Sequence, residues 1–141
     1  MDIQTFRKHT YPTLQFLKKS IDVTGQKGSS AFYSRIRLPF RGWERAYPET
    51  TGYIIETLLG YHKILKEDWL FEYAVKCADW LCEIQLENGA FPGLFGETKE
   101  PSTFNTGQII FGLVRAFEAT KNEKYFQAFK DATHWLSGGL G

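Results

Sequence analysis

One stretch of sequence occurs twice in this chain, at residues 51–81 and at residues 106–136, with a constant offset of 55 positions and no gap. Each copy opens with Thr-Gly-x-Ile-Ile, at Thr51–Ile55 and at Thr106–Ile110, and each closes with Trp-Leu. A fixed period of this size is typical of repeat proteins, in which one helical hairpin cannot bury its own apolar face and needs neighbours. The duplication therefore predicts an all-α fold of repeated antiparallel helical hairpins.

Apolar residues recur at helical spacing in four stretches, paired by turns of about three residues. The predicted helices span about 51–65, 69–86, 106–119 and 123–136. A weaker helix is predicted from Pro12 to Val23, with Pro12 at the first helical position, where its missing N–H is not needed. A short ribbon is expected at 31–37. Residues 1–141 then form one domain of about two and a half hairpins.

Composition narrows the class of protein and of partner. The chain is 43% hydrophobic with a formal net charge of +1, which predicts a globular protein without an electrostatic footprint for nucleic acid or an anionic membrane surface. No apolar run approaches the roughly 18 residues of a membrane-spanning helix, and the polar segment 1–11 lacks a signal-peptide core. We expect a cytoplasmic protein, with no membrane or nucleic-acid partner.

The residues that most often hold metals or cofactors are scattered. His9, His62 and His134 share no metal-ligand spacing with one another or with the cysteines. Cys77 and Cys82 lie five apart on a predicted helix, so they cannot bridge and are expected to be free thiols. No phosphate-binding glycine motif, nucleophile elbow or redox cysteine pair is present. We predict no metal and no cofactor.

Two long connections, at residues 24–49 and 87–105, separate the predicted hairpins. Loops longer than about 12–15 residues are uncommon in compact domains and usually functional. Each of these loops leads into a Thr-Gly helix. The long loops are therefore expected at one end of the helical stack, which we call the long-loop end, and the tight turns at the other.

The long loops and the helix starts after them combine aromatic rings with arginines and carboxylates. Aromatic faces stack on sugar C–H groups, while charged side chains bind hydroxyls and charged substituents. This composition favours a carbohydrate ligand, although a protein–protein interface also favours tyrosine, tryptophan and arginine. The predicted substrate-binding residues are Tyr33, Arg41, Trp43, Tyr47, Tyr53, Phe91 and Gln108.

Two carboxylates on opposed loops, Glu49 and Glu97, are the predicted catalytic pair, since a general acid and a general base could flank a glycosidic bond. The helix dipole next to Glu49 favours its anion and thus a base role. The alternative for Glu49 is that it only places a negative charge at the start of a helix, with Thr50 as the N-cap. The alternative for Glu97 is that it is only a polar residue at the tip of a loop.

Two further pairs near the helix starts have structural explanations. Asn105 and Gln108 have capping-box spacing, so local backbone bonding explains them as well as a ligand does. Gly52 and Gly107 open matching helices, where close helix packing or the approach of a ligand would each explain the missing Cβ.

The segment Tyr47–Ile55, followed by repeating hairpins, resembles the α/α-toroid group, which includes six-hairpin glycosidase-like proteins and terpenoid-cyclase toroids. The segment Gln85-x-x-x-Gly89-x-Phe91 is similar to the structural Gln-Trp repeat of the cyclase branch, with Phe for Trp, but the acidic cyclase signature is absent. Residues 42–55 look most like bacterial toroid proteins associated with polysaccharide biosynthesis. Such proteins are sometimes labelled porphobilinogen synthase. That enzyme needs an α/β barrel, which these hairpins do not predict.

The resemblance implies a carbohydrate-active domain that binds or processes a bacterial polysaccharide or its precursor by hydrolase, lyase or epimerase chemistry. The alternative is a non-catalytic module that binds a protein or a glycan. A closed ring of six such hairpins needs more than twice this chain. We therefore expect a fragment of a longer toroid or a chain that completes itself as a homo-oligomer, with a symmetric dimer as the simplest form.

Overall fold

The computed structural model describes residues 3–36, 42–95 and 99–138, and most of these residues are helical, which confirms the all-α prediction. The only strands in those ranges are the two-residue β1 (Tyr33–Ser34) and β2 (Gly42–Trp43), which pair antiparallel and realise part of the expected ribbon. The helices are α1 (Ile3–Asp22), α2 (Pro48–Leu65), α3 (Asp68–Ile84), α4 (Thr103–Thr120) and α5 (Glu123–Leu136).

The first helix is longer than the sequence predicts, because α1 begins at Ile3 and Pro12 lies inside it. A proline in a helix interior removes one backbone hydrogen bond and normally ends the helix. Contacts upstream of Pro12 attach the first half of α1 to α2 and to the link after it. The Phe6 ring stacks on Tyr61 with centroids 6.1 Å apart, and the Tyr11 hydroxyl donates to Glu67 Oε2 at 2.9 Å. The predicted start at Pro12 is therefore wrong.

Helix α2 starts three residues before the duplicated unit. Tyr47 is the N-cap and Pro48 takes the first helical position, where its fixed φ suits the helix. Thr50 lies inside the first turn and its hydroxyl donates to the Tyr47 carbonyl at 3.1 Å. The predicted cap at Thr50 is wrong because Pro48 moves the start upstream.

Helix α4 is capped by Ser102, whose hydroxyl accepts the backbone N–H of Asn105 at 3.2 Å. The predicted capping box of Asn105 and Gln108 is therefore wrong. The buried Asn105 amide instead donates to the Pro92 carbonyl at 3.0 Å and fixes the second long loop.

Helices α2 and α3 pack together, as do α4 and α5, and each pair is joined by a link of two residues. Lys66 and Lys121 end α2 and α4 in the left-handed conformation, with φ of 57° and 58°. Their N–H groups donate to the carbonyls of His62 and Phe117, which satisfies part of each helix end. The two copies of the duplicated unit thus end their first helices in the same way.

Helices α2 and α4 cross at two glycines. A Cβ on Gly112 would lie 2.5 Å from the Gly52 carbonyl oxygen, and one on Gly52 would lie 3.0 Å from Ile109 Cα. Farther along both helices, Arg115 Nε lies 3.3 Å from Glu56 Oε1. Because these contacts advance in the same direction on both helices, α2 and α4 run parallel. Their N-termini, and the long loops that lead into them, therefore lie at the same end.

The two loops are fastened to these helices by equivalent buried threonines. Thr51 Oγ1 accepts the Ser29 N–H, and Thr106 Oγ1 accepts the Phe91 N–H, each at 2.9 Å. Both threonines are fully buried. A buried backbone N–H needs a partner, so each hydroxyl fixes the place where its loop enters the core.

Gln85 connects the end of α3 to α5. Its Nε2 donates to the carbonyls of Gly89 and Ala128, each at 2.8 Å. Gly89 has a φ of +88°, and a Cβ there would lie 2.7 Å from the Asp131 carbonyl oxygen. The Gln85–Gly89 segment therefore ties one helix pair to the other, and glycine is required for the close approach.

Replacing Gly112 with alanine should destabilise the protein by about 1–3 kcal/mol, because its methyl group would collide with the α2 backbone at Gly52. The matched control is Gly60→Ala, since a Cβ on Gly60 meets nothing within 4 Å. That variant should be more stable than the parent by up to about 1 kcal/mol through helix propensity. Guanidinium unfolding measures both, and equal effects would contradict the crossing described above.

Candidate functional site

A groove of about 370 Å³ lies where the first long loop meets the turn after α1 and Phe95 of the second long loop. A volume of this size is typical of small-ligand sites. We call it the loop groove. It is lined by Val23, Thr24, Lys27, Trp43, Glu44, Arg45, Ala46, Trp80 and Phe95.

The turn after α1 forms one wall of the loop groove. Thr24 Oγ1 lies 2.6 Å from the Gly28 carbonyl oxygen, to which it donates, and Gln26 adopts a φ of 65°. A Cβ on Gly28 would lie 2.3 Å from the Trp80 ring, so only glycine allows the turn to pass over this ring. This tight turn holds the backbone of Lys27 at the groove.

A ladder of hydrogen bonds holds the opposite wall, residues 43–47, against residues 29–32. The Tyr47 N–H donates to the Ser29 carbonyl at 2.8 Å, and the Ala31 N–H donates to the Arg45 carbonyl at 2.9 Å. Ser29 is itself bonded to Thr51 on α2. The position of the wall is therefore set by the buried threonine.

Three aromatic rings, those of Phe16, Tyr33 and Trp43, meet at the edge of the loop groove. The Trp43 ring lies 4.8 Å from Phe16 and 5.1 Å from Tyr33, between centroids. Tyr33 and Trp43 are paired across β1 and β2. Phe16 is 51% exposed and Tyr33 is 45% exposed, although both are large apolar rings. This aromatic cluster offers ring surface to a ligand.

The charged part of the groove is already arranged. Glu44 Oε1 accepts the Arg45 backbone N–H at 2.9 Å and lies 3.5 Å from Arg45 Nε. The Arg45 guanidinium lies 4.4 Å above the Phe95 ring, and the Tyr47 ring contacts Phe95 edge-on at 5.8 Å. Such cation–π and ion-pair contacts limit the rotamers that must be ordered when a ligand binds.

Several predicted site residues meet at this groove. Trp43 lines it, Tyr33 flanks Trp43, and Tyr47 contacts the lining residue Phe95. Glu49 lies half-buried in the first turn of α2, outside the groove lining. The predicted residues Arg41 and Glu97 lie outside the described residues, so the catalytic pair of Glu49 and Glu97 stays a prediction.

The other predicted ligand contacts lie elsewhere. Phe91 is fully buried in the hydrophobic core, so we do not include it in the proposed site. Tyr53 is 45% exposed on α2. Gln108 is half-buried on α4, where its backbone carbonyl oxygen faces Gly52. Neither lines the loop groove.

Sequence reasoning missed Phe16 and Lys27. Phe16 lies on the helix predicted from Pro12 to Val23, and Lys27 stands alone in a glycine-containing turn. Trp80, which closes the first copy of the duplicated unit, is 8% exposed and lines the groove as well. The available signal was local: glycines at positions 25 and 28 bracket Lys27 and indicate a tight turn that presents it.

A second groove, of about 410 Å³, lies between the C-terminal halves of α2 and α4. Three of its charged groups are engaged with one another, since Arg115 pairs with Glu56 and, at 2.9 Å, with Glu118. The hydrogen bond from Arg115 lowers the pKa of Glu118. These exposed pairs are typical of a solvated helix surface, so the loop groove is the stronger candidate.

The two cysteines are free. Burial raises the pKa of the Cys77 thiol to about 12 and that of Cys82 to about 11, so neither forms much thiolate near neutral pH.

His62 Nδ1 lies 3.0 Å from the Glu67 carbonyl oxygen. Across 3–36, 42–95 and 99–138, no group of three or more His, Cys, Asp or Glu residues could hold a metal ion. None of the helices in these ranges is long and apolar enough to cross a bilayer.

Comparison of the chain with protein-family models, with curated proteins and with solved structures found no match.

Proposed function

We propose that this chain is a carbohydrate-binding domain and that its ligand lies in the loop groove against the aromatic cluster. The exposed rings of Phe16 and Tyr33 and the half-buried ring of Trp43, beside the charged groups of Lys27 and Arg45, carry this proposal. A sugar ring has an apolar C–H face and polar edges, which match an aromatic ring bordered by hydrogen-bonding groups. A bacterial polysaccharide or its precursor is the ligand class that the toroid resemblance implies.

We place the two helix pairs in an α/α toroid as consecutive hairpins. The parallel course of α2 and α4, the equivalent hydrogen bonds of Thr51 and Thr106, and the matching helix ends at Lys66 and Lys121 support this placement. In such a ring the long loops of successive hairpins form one rim. The loop groove would lie on that rim.

Binding needs less from the site than catalysis does. The described lining of the loop groove contains one carboxylate, that of Glu44, and it is engaged with Arg45. Hydrolysis by an acid and a base needs two carboxylates flanking the scissile bond. Processing of the carbohydrate therefore depends on the predicted pair of Glu49 and Glu97, whereas binding depends only on the residues of the groove.

Replacing Trp43 with alanine should weaken carbohydrate binding at least about tenfold, because a central aromatic contact typically contributes more than about 1.4 kcal/mol. The matched control is Phe126→Ala, which removes a ring from α5 outside the groove and should leave binding unchanged. A glycan array of bacterial oligosaccharides identifies ligands of the parent, and titration calorimetry compares the variants. A parent without ligands, or one whose binding survives Trp43→Ala, would contradict the proposal.

A specific observation favours self-association as a second property. Phe104 and Phe111 on α4 are 59% and 62% exposed. Between them lies Gly107, the counterpart of Gly52, and a Cβ there would meet nothing within 4 Å. Since Gly52 packs against a parallel helix, we propose that the open face of α4 packs against a second copy of this chain. A symmetric dimer is the simplest assembly.

Changing Phe111 to aspartate should convert the dimer into a monomer, because the charge would be buried without a partner. Sedimentation velocity at micromolar concentration measures the change, with Leu94→Asp as a control at an equally exposed loop position. A parent that sediments as a monomer would exclude this assembly, and so would an unchanged dimer of the Phe111 variant.

A further inference from the structure

The loop groove contains more positive than negative charge among its described residues. Lys27 and Arg45 line it together with a single carboxylate, that of Glu44. The Lys27 side chain is exposed and makes no hydrogen bond or ion pair within the described ranges. A ligand that fits this groove should therefore carry a negative charge.

The carboxylate of Glu44 offsets the charge of Arg45 and leaves that of Lys27 without an ion pair among the described residues. Its side chain is only 12% exposed, and Oε1 accepts the backbone N–H of Arg45 at 2.9 Å. Glu44 is thus directed to its neighbour, whereas the Arg45 side chain is 55% exposed. Apolar walls beside the two cations, including Trp43 and Phe95, reduce the screening of their field by water.

The aromatic cluster and the cations suit different parts of one sugar residue. An acidic sugar of the hexuronate type carries its carboxylate on the edge of the ring, so stacking of one face leaves this group free at the side. A cation beside the aromatic wall can then pair with the carboxylate, and a charge-assisted hydrogen bond of this kind is about twice as strong as a neutral one.

Resting on the proposed carbohydrate-binding function, we propose that the ligand of the loop groove is an acidic carbohydrate with carboxylated residues. A hexuronate ring stacks on Trp43, and its carboxylate pairs with Lys27 and with the exposed guanidinium of Arg45. Specificity for acidic over neutral carbohydrates then resides mainly in Lys27, because Arg45 also pairs with Glu44 and stacks on the Phe95 ring.

The test compares a hexuronate oligosaccharide with the same oligosaccharide after its carboxyl groups are reduced to alcohols. In calorimetry the parent protein should bind the acidic form at least about tenfold more tightly. Lys27→Gln should lose most of this preference. Lys130→Gln, which removes the same charge from an exposed position on α5, should behave like the parent. Added salt should weaken only the acidic ligand.

The outcomes separate the two proposals. Equal binding of both oligosaccharides would overturn the acidic specificity and leave the carbohydrate-binding function standing. If neither binds and the glycan array is also empty, the proposed function fails. A Lys27→Gln variant that keeps the full preference would remove Lys27 from this role. A neutral oligosaccharide that has been sulfated is tested in parallel. If it binds as tightly as the hexuronate does, the groove recognises any anion rather than a carboxylate.

Discussion

The hydrogen bond from a loop N–H to a buried threonine hydroxyl is the interaction on which the rest of this structure depends. Thr51 receives the N–H of Ser29 in this way, and Thr106 receives that of Phe91. Loss of such a partner leaves a buried donor unsatisfied, at a cost of about 1–3 kcal/mol. Because each threonine belongs to a helix that also carries core residues, the loop is positioned by the packed helices rather than by its own sequence.

The crossing of α2 and α4 converts these two local attachments into one site. Gly52 and Gly112 allow the helix backbones to touch, and the parallel course of the helices brings both loop attachments to one end of the bundle. The first long loop then folds back on itself through β1 and β2, which sets Trp43 beside Tyr33. The second loop contributes Phe95 to the same groove. A site assembled from two loops thus rests on helices that are packed against each other.

The sequence predicted the helical class because the duplicated unit carries its own periodicity, and it predicted the long-loop end because each copy follows a long loop. Helix starts were less predictable, since Pro48 and Ser102 override the caps that the duplicated unit suggests. Within the groove, Trp43 could be chosen from composition alone. Phe16 could not, because its contact with Trp43 joins segments that are distant in sequence. For Lys27 the flanking glycines indicate a tight turn, but they do not predict that this turn lies beside Trp43.

Native-state hydrogen exchange of the Ser29 and Phe91 amides tests most directly whether the threonines hold the loops. In the parent protein both amides should be protected, since each is buried and bonded to a threonine hydroxyl. Thr51→Val keeps the shape of the side chain and removes the acceptor. This variant should lower the exchange protection factor of the Ser29 amide at least about tenfold, which corresponds to about 1.4 kcal/mol. The Phe91 amide should stay protected. A Ser29 amide that exchanges freely in the parent, or one that stays protected in the variant, would contradict the account.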